Sequence, residues 1–387
     1  MKIGGKNKVK INPLAYNIGL IGESGIGKTT LIKDVCQKLV GDDGYLFIET
    51  GHEDGGEAIE GLNRVNCPEW SIDEEDWEYD DDGNIITIGF EDVVDDIIEN
   101  KTTDYPDLKV VIIDTLDDLF TIVEPEVIRM SNRENPEKQV KSIKAAFGGF
   151  QAGEDKAIDL VVDKLWSLKK VGVSFIVIGH TKTKEKTDTV TNETYSMLTT
   201  NMSNKYFNAI KNKLHFLGVA YIDRTIMREK TGKKNIVTKK EETIGRIKSE
   251  ERKIRFRDDN YSLDSKVRFA DIINEIPLDA DAFINALTDA IKAEQAKSGV
   301  SFEKAKETQE KAEAENLKKV AEKEEKNREE KALNERLDKI KKFIKDNKSD
   351  LDKVRPLAAK AKELGFDNPT KVTTIEAADA ILELIDD

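Results

Sequence analysis

The sequence predicts an α/β fold with a mainly parallel central sheet between helices, then a charged helical linker and a small α-helical tail domain. Three observations predict it. Short, almost purely apolar runs alternate with helical segments from residue 17 to about residue 223. The first run leads into a glycine-rich turn that ends Gly-Lys-Thr. Beyond Pro277 the chain becomes rich in Glu, Lys and Ala, and apolar residues recur at helical spacing only near its end.

The apolar runs are Ile18-Gly-Leu-Ile21, Tyr45-Leu-Phe-Ile48, Val110-Val-Ile-Ile113, Val173-Ser-Phe-Ile-Val-Ile178 and Leu217-Gly-Val-Ala-Tyr-Ile222. Such near-continuous hydrophobicity fits strands covered on both faces, as in a parallel sheet. Residues 30–39, 91–98 and 157–169 read as crossover helices. Residues 72–83 form an acidic, solvated insertion, and 230–269 alternate charged and apolar residues like exposed basic antiparallel strands. Residues 1–277 are therefore expected to form the core. A charged helical linker is expected over 278–332, because 301–331 has too few apolar positions for a seam. In 333–387, Leu333, Leu337, Ile340 and Ile344 are followed by Leu351, Leu357, Ala361 and Leu364. Ile375, Ala378, Ile381, Leu382 and Ile385 complete a predicted three-helix tail.

Composition narrows the function. Of 387 residues, 38% are hydrophobic and 36% charged, with a net charge of -14. That balance argues against a surface that embraces a polyanion on all sides, though a local basic groove remains compatible with it. Cys36 and Cys67 form no CxxC, and with only three histidines a structural zinc site is not expected. No window approaches the roughly 20 apolar residues of a membrane span, so the expected location is cytoplasmic, with no membrane partner.

The chemistry lies in four places. Gly22-Glu23-Ser24-Gly25-Ile26-Gly27-Lys28-Thr29 matches the Walker A pattern at every position, with Thr30 next on the helix. Glycines let backbone N–H groups turn toward phosphates, and the helix that follows presents its positive end. Lys28 is expected on the outer phosphates and Thr29 on magnesium, so the cofactors are ATP and Mg2+. Asp114 ends an apolar strand in the Walker B manner and is the second magnesium residue. Its neighbour is Thr115, not the glutamate that AAA+ remodellers place there. The water-orienting carboxylate is instead expected after the strand beside the P-loop strand, at Glu49 or Glu53. His180, at the tip of the strand after Walker B, is the expected γ-phosphate sensor.

In this order the motifs resemble the phage-encoded, RecA-like ATP-binding proteins of single-strand annealing. The likeness runs over about residues 16–277 and takes in Gly179-His-Thr-Lys182, Leu198-Thr-Thr-Asn-Met-Ser-Asn-Lys-Tyr-Phe207, Lys213-Leu-His-Phe216 and Lys266-Val-Arg-Phe269. The resemblance implies a RecA-like P-loop core and an oligomeric ATPase in the host cytosol. Single-stranded DNA is its implied substrate, and a single-strand-binding protein a possible partner. It also implies that cations of a neighbouring subunit complete the ATP site, with Arg255, Arg257, Lys266 and Arg268 in the matching region. From the residues themselves, 181–208 reads as a long polar loop in which Lys182, Lys184, Lys186, Lys205 and Tyr206 offer charge and stacking surface to DNA. The competing reading is an ATP-gated loader that recruits replication factors through its helical tail without touching DNA. A small-molecule kinase fits least, since no arginine-rich lid is present.

Overall fold

A computed structural model describes residues 8–51, 55–187, 192–234, 241–257, 265–348 and 350–386. The chain divides into two compact units, Met1–Ala314 and Glu315–Asp387. In the first, β1 (Ile18–Gly22) leads to α1 (Lys28–Val40), β2 (Tyr45–Thr50) and β3 (Arg64–Cys67). An edge hairpin follows, β4 (Glu78–Tyr79) and β5 (Ile85–Thr87), then α2 (Phe90–Glu99) and β6 (Val110–Asp114). Next come α3 (Leu116–Glu134), α4 (Ala152–Lys170), β7 (Ser174–Thr187), β8 (Thr194–Thr200) and α5 (Asn204–Lys211). The unit continues with β9 (Phe216–Lys234), β10 (Glu241–Arg255), β11 (Lys266–Val267), β12 (Glu275–Pro277) and α6 (Ala280–Ala296).

The sheet order is β12-β10-β9-β1-β7-β6-β2-β3-β5-β4, and every pairing from β9 across to β5 is parallel. Parallel neighbours need crossovers, and α1 to α4 supply them on both faces. On one face Leu20, Phe47, Ile112 and Ile178 pack with Leu31, Ile32 and Val35 of α1. On the other, Ile21, Ile48, Val111 and Val177 pack with Val94, Leu119, Val123, Val161 and Leu165 from α2, α3 and α4.

Two expectations change. The core does not stop at residue 277. Helix α6 buries Phe283, Leu287 and Ile291 against the α1 face, so the stretch expected to begin a solvated linker is core. The rest of that stretch is helical as expected, within α7 (Phe302–Asp346), with Glu–Lys pairs such as Glu315–Lys319 along it. And residues 181–208 are no structureless loop. They form an antiparallel ribbon of β7 with β8, followed by α5, whose Tyr206, Phe207 and Ile210 face the core.

The second unit closes with α8 (Leu351–Glu363) and α9 (Ile375–Asp386). Leu337 and Ile340 of α7 meet Leu357, Ala361, Ala378 and Ile381 in a small core, the spacing that predicted three helices. Leu364, by contrast, is exposed. Among the described residues no helix is long and apolar enough to cross a membrane.

Candidate nucleotide site

The P-loop joins β1 to α1. Gly22 lies so close to β9 that a Cβ there would sit 2.8 Å from the Ala220 carbonyl oxygen. Gly25 and Gly27 hold φ of 72° and 105°, the left-handed region where a side chain is strained. These backbone shapes form the turn whose N–H groups can face a phosphate chain. The Lys28 side chain is buried, and its Nζ donates to the carbonyl oxygens of Gly22 at 3.1 Å and Glu23 at 3.0 Å. The ammonium thus sits at the loop itself, where phosphate oxygens would compete for its protons.

Asp114, at the end of β6, is one strand removed from β1, with β7 between. Even so, the Thr29 hydroxyl donates to its Oδ2 at 2.7 Å. The two oxygens that the sequence assigns to magnesium are therefore together, one neutral and one a carboxylate. That is a hard-oxygen pair of the kind magnesium takes, and these two residues would hold it. Bound there with ATP, the ion would neutralise charge on the phosphate oxygens.

The glutamate expectation needs a correction. Strand β2 does not lie beside the P-loop strand. It pairs with β6 and β3, and Glu49 stands directly opposite Asp114. That register puts Glu49 next to the magnesium pair, but its carboxylate is fully buried and already engaged. Oε1 accepts from the Gly56 N–H at 2.8 Å, and Oε2 is ion-paired with Arg64. Each oxygen keeps a further acceptor site, but with no exposed surface the group could orient a water only if its surroundings opened. Glu53 lies outside the described residues.

His180 stands opposite Gly22 in the sheet, at the same end as the P-loop. Its backbone N–H donates to Asp117 Oδ2 at 2.8 Å, and its ring Nδ1 is 3.9 Å from that oxygen. Asp117 sits in the first turn of α3, after the Thr115 N-cap. Its Oδ1 is buried without a hydrogen bond, and burial pushes the carboxyl above its usual range. Sequence reasoning missed Asp117 because acidic residues just after an N-cap read as ordinary helix-start chemistry.

Arg252 was missed as well. It lies on β10 and donates from Nη1 to the Ile26 carbonyl of the P-loop at 3.1 Å. Its register is what places it there: it pairs with Ile222, two residues beyond the Ala220 that faces Gly22. The cations expected to complete a neighbour's site are engaged within their own chain. Arg255 bonds Glu275 and stacks over Tyr221, while Arg257 donates to the Phe269 carbonyl. Lys266 donates to the Lys211 carbonyl, and Arg268 to those of Leu214 and Asn212. Lys266 lies opposite Leu217, near the start of β9, so it and Arg268 sit at the end of the sheet away from the P-loop. These cations do not gather at this chain's own nucleotide site.

The expected DNA residues also divide. Lys182 and Lys184 are exposed on the β7–β8 ribbon, and Lys186 pairs through its backbone with Tyr195. Lys205 is ion-paired with Glu154 and Asp155. Tyr206 is 6% exposed, stacked on Phe120 and bonded to Glu124. It offers no surface for a base, because the amphipathic α5 turns it inward.

No curated protein matches the chain. A family model described as an AAA domain matches residues 14–247, a stretch that contains the P-loop, Glu49, Asp114, Asp117 and His180. Over a span that is most of the chain, on a parallel sheet that brings Walker A and Walker B together, the protein belongs to the AAA-domain family of nucleotide-binding ATPases.

Proposed function

We propose that the protein is a RecA-like hydrolase of magnesium ATP that couples its cycle to single-stranded DNA in phage recombination, annealing or repair. One observation carries the reading. Both neighbours of the P-loop strand, β7 and β9, run past its end and continue as antiparallel ribbons. The β7–β8 ribbon leaves the sheet at His180, so a change felt at the phosphate end of β7 can pass along that one strand to Lys182 and Lys184, and across the ribbon to Tyr195 on β8. The likeness of residues 16–277 to phage annealing ATPases supports the same reading. Assembly into an oligomer and work beside a single-strand-binding protein belong to it.

The test is steady-state ATP hydrolysis by the full chain, with and without a single-stranded oligonucleotide. Stimulation by DNA, with binding that weakens as salt rises, is expected. A rate indifferent to DNA, together with no measurable binding, would overturn the reading. It would leave the loader acting through its C-terminal helices.

A further inference from the structure

The β9–β10 ribbon is the more unusual of the two. Among the described residues, its stretch from Asp223 to Lys234 is paired only by β10, and at the strand rise of about 3.3 Å per residue it can reach about 40 Å from the sheet. From Asp223 to Glu251, which faces it, the sequence holds nine basic residues (Arg224, Arg228, Lys230, Lys233, Lys234, Lys239, Lys240, Arg246, Lys248) and six acidic ones (Asp223, Glu229, Glu241, Glu242, Glu250, Glu251). The difference is 9 − 6 = +3, on a chain whose net charge is -14. Apolar side chains stand exposed among these charges. Ile226 and Ile247 face each other across the ribbon at 62% and 58% exposure, and Ile244 and Met227 are exposed too. No aromatic residue occurs from Ile222 to Arg255, so the ribbon has no platform on which splayed single-strand bases would stack.

A two-stranded ribbon fits the groove of a DNA duplex, and isoleucine or methionine can press on base steps there while cations meet the phosphates. We infer that the β9–β10 ribbon is a duplex-DNA arm. It holds double-stranded DNA through Arg228, Lys248 and their basic neighbours, with the Ile226–Ile247 pair against the base edges. Its root is fixed to the nucleotide site, since Arg252 donates to the P-loop carbonyl of Ile26. This deepens the proposed function: an ATPase that pairs strands must also meet the duplex it makes.

The experiment compares the full-length protein with the double variant Arg228→Glu, Lys248→Glu, both exposed positions. Fluorescence anisotropy follows a labelled duplex and a single strand of equal length over a salt series. The variant is expected to bind duplex at least about tenfold more weakly, with a salt slope shallower by roughly two charges. Single-strand affinity should change far less, and hydrolysis without DNA should be unchanged. The variant Ile226→Ser, Ile247→Ser should weaken duplex binding and leave the salt slope as it was. Wild-type duplex affinity in the charge variant, beside intact single-strand binding, overturns the arm and leaves the ATPase reading standing. A wild-type protein that binds neither DNA overturns both.

Discussion

The two ribbons flank one P-loop strand, yet they differ in charge, in side-chain type and in how they are rooted. The β7–β8 ribbon, residues 181–200, carries Lys182, Lys184 and Lys186 against Glu185, Asp188 and Glu193, a balance of zero, and it has Tyr195. Its root is a histidine whose backbone N–H is held by a half-buried aspartate. The β9–β10 ribbon is net basic, has exposed isoleucines and no ring, and is rooted by an arginine on the P-loop. Position in the sheet alone therefore does not assign a partner. The same topology presents a near-neutral surface with a stacking residue on one side of the nucleotide and a cationic, apolar one on the other.

The largest effect expected is one that silences both ribbons together. Lys28→Ala removes the charge that sits at the loop among the Gly22 and Glu23 carbonyls. Turnover should fall by about 10³, the scale of losing a charge-stabilising donor in a closed site, and stimulation by DNA should vanish with it. A folded Lys28→Ala protein that hydrolyses ATP at the wild-type rate would remove the P-loop from the chemistry.

Arg252→Ala separates the two roots. Its bond to the Ile26 carbonyl comes from a charged donor, but the residue is exposed, so the lower end of such a bond's worth applies, about 1.5 kcal/mol or roughly tenfold. Turnover should drop by that order, and duplex DNA should lose its influence on the rate. Single-strand stimulation through β7–β8 should persist. If both DNA responses survive, Arg252 is only a strut between β10 and the P-loop.

How much of this was legible in sequence follows from what local pattern can encode. The five apolar runs predicted β1, β2, β6, β7 and β9, because strands buried on both faces are apolar throughout. The P-loop turn and the meeting of Thr29 with Asp114 were legible too, since the Walker pattern fixes their spacing and strand ends. Strand β3, which pairs with β2 along its whole length, was missed because its Arg64-Val-Asn-Cys67 run alternates and is short. The neighbour relations were not legible. Only the sheet order shows that Glu49 stands opposite Asp114 and away from β1, or that Arg252 reaches Ile26 across some 226 residues of chain. Tyr206 misled because an aromatic in a polar stretch looks like a stacking surface until helix α5 turns it onto Phe120.

At the other root the expected effect is smaller and depends on pH. The Asp117 carboxyl is raised in the folded chain by burial, and Oδ1 has no hydrogen bond. A raised carboxyl favours the protonated form in the fold. Its contribution is therefore fully present below the ordinary aspartate range and is lost as pH rises through the raised value. Asp117→Asn keeps an acceptor for the His180 N–H and carries no charge, so it should escape that loss. Urea unfolding should show the variant gaining on the wild type as pH goes from about 4 to 7, by about 1 kcal/mol per unit of raised pKa. Parallel curves at the two pH values would mean that water or an ion reaches Oδ1.

The smallest effect concerns the part of the chain furthest from both ribbons in sequence. A truncation soon after Lys292 would be uninformative, because α6 runs to Ala296 and buries Ile291 and Gln295. Such a cut would remove the last turn of a core helix, and its failure would say nothing about the tail. Residues beyond α6 also matter to the first unit, since the Gln309 side chain donates to the Val9 carbonyl and accepts from the Ile11 N–H. The informative end point is Ala314, the last residue of that unit. A chain ending there keeps every residue of the nucleotide site and both ribbons, so its basal hydrolysis should match the full chain. What it removes is the acidic terminus Glu383-Leu-Ile-Asp-Asp387, which can compete with DNA for a basic surface. DNA stimulation should therefore stay the same or rise, and the rise should be larger for duplex than for single strand, because the cationic surface is on β9–β10. Equal rises for the two DNAs would break the distinction between the ribbons, and lost ATP hydrolysis in a soluble truncation would make the C-terminal helices part of the catalytic unit.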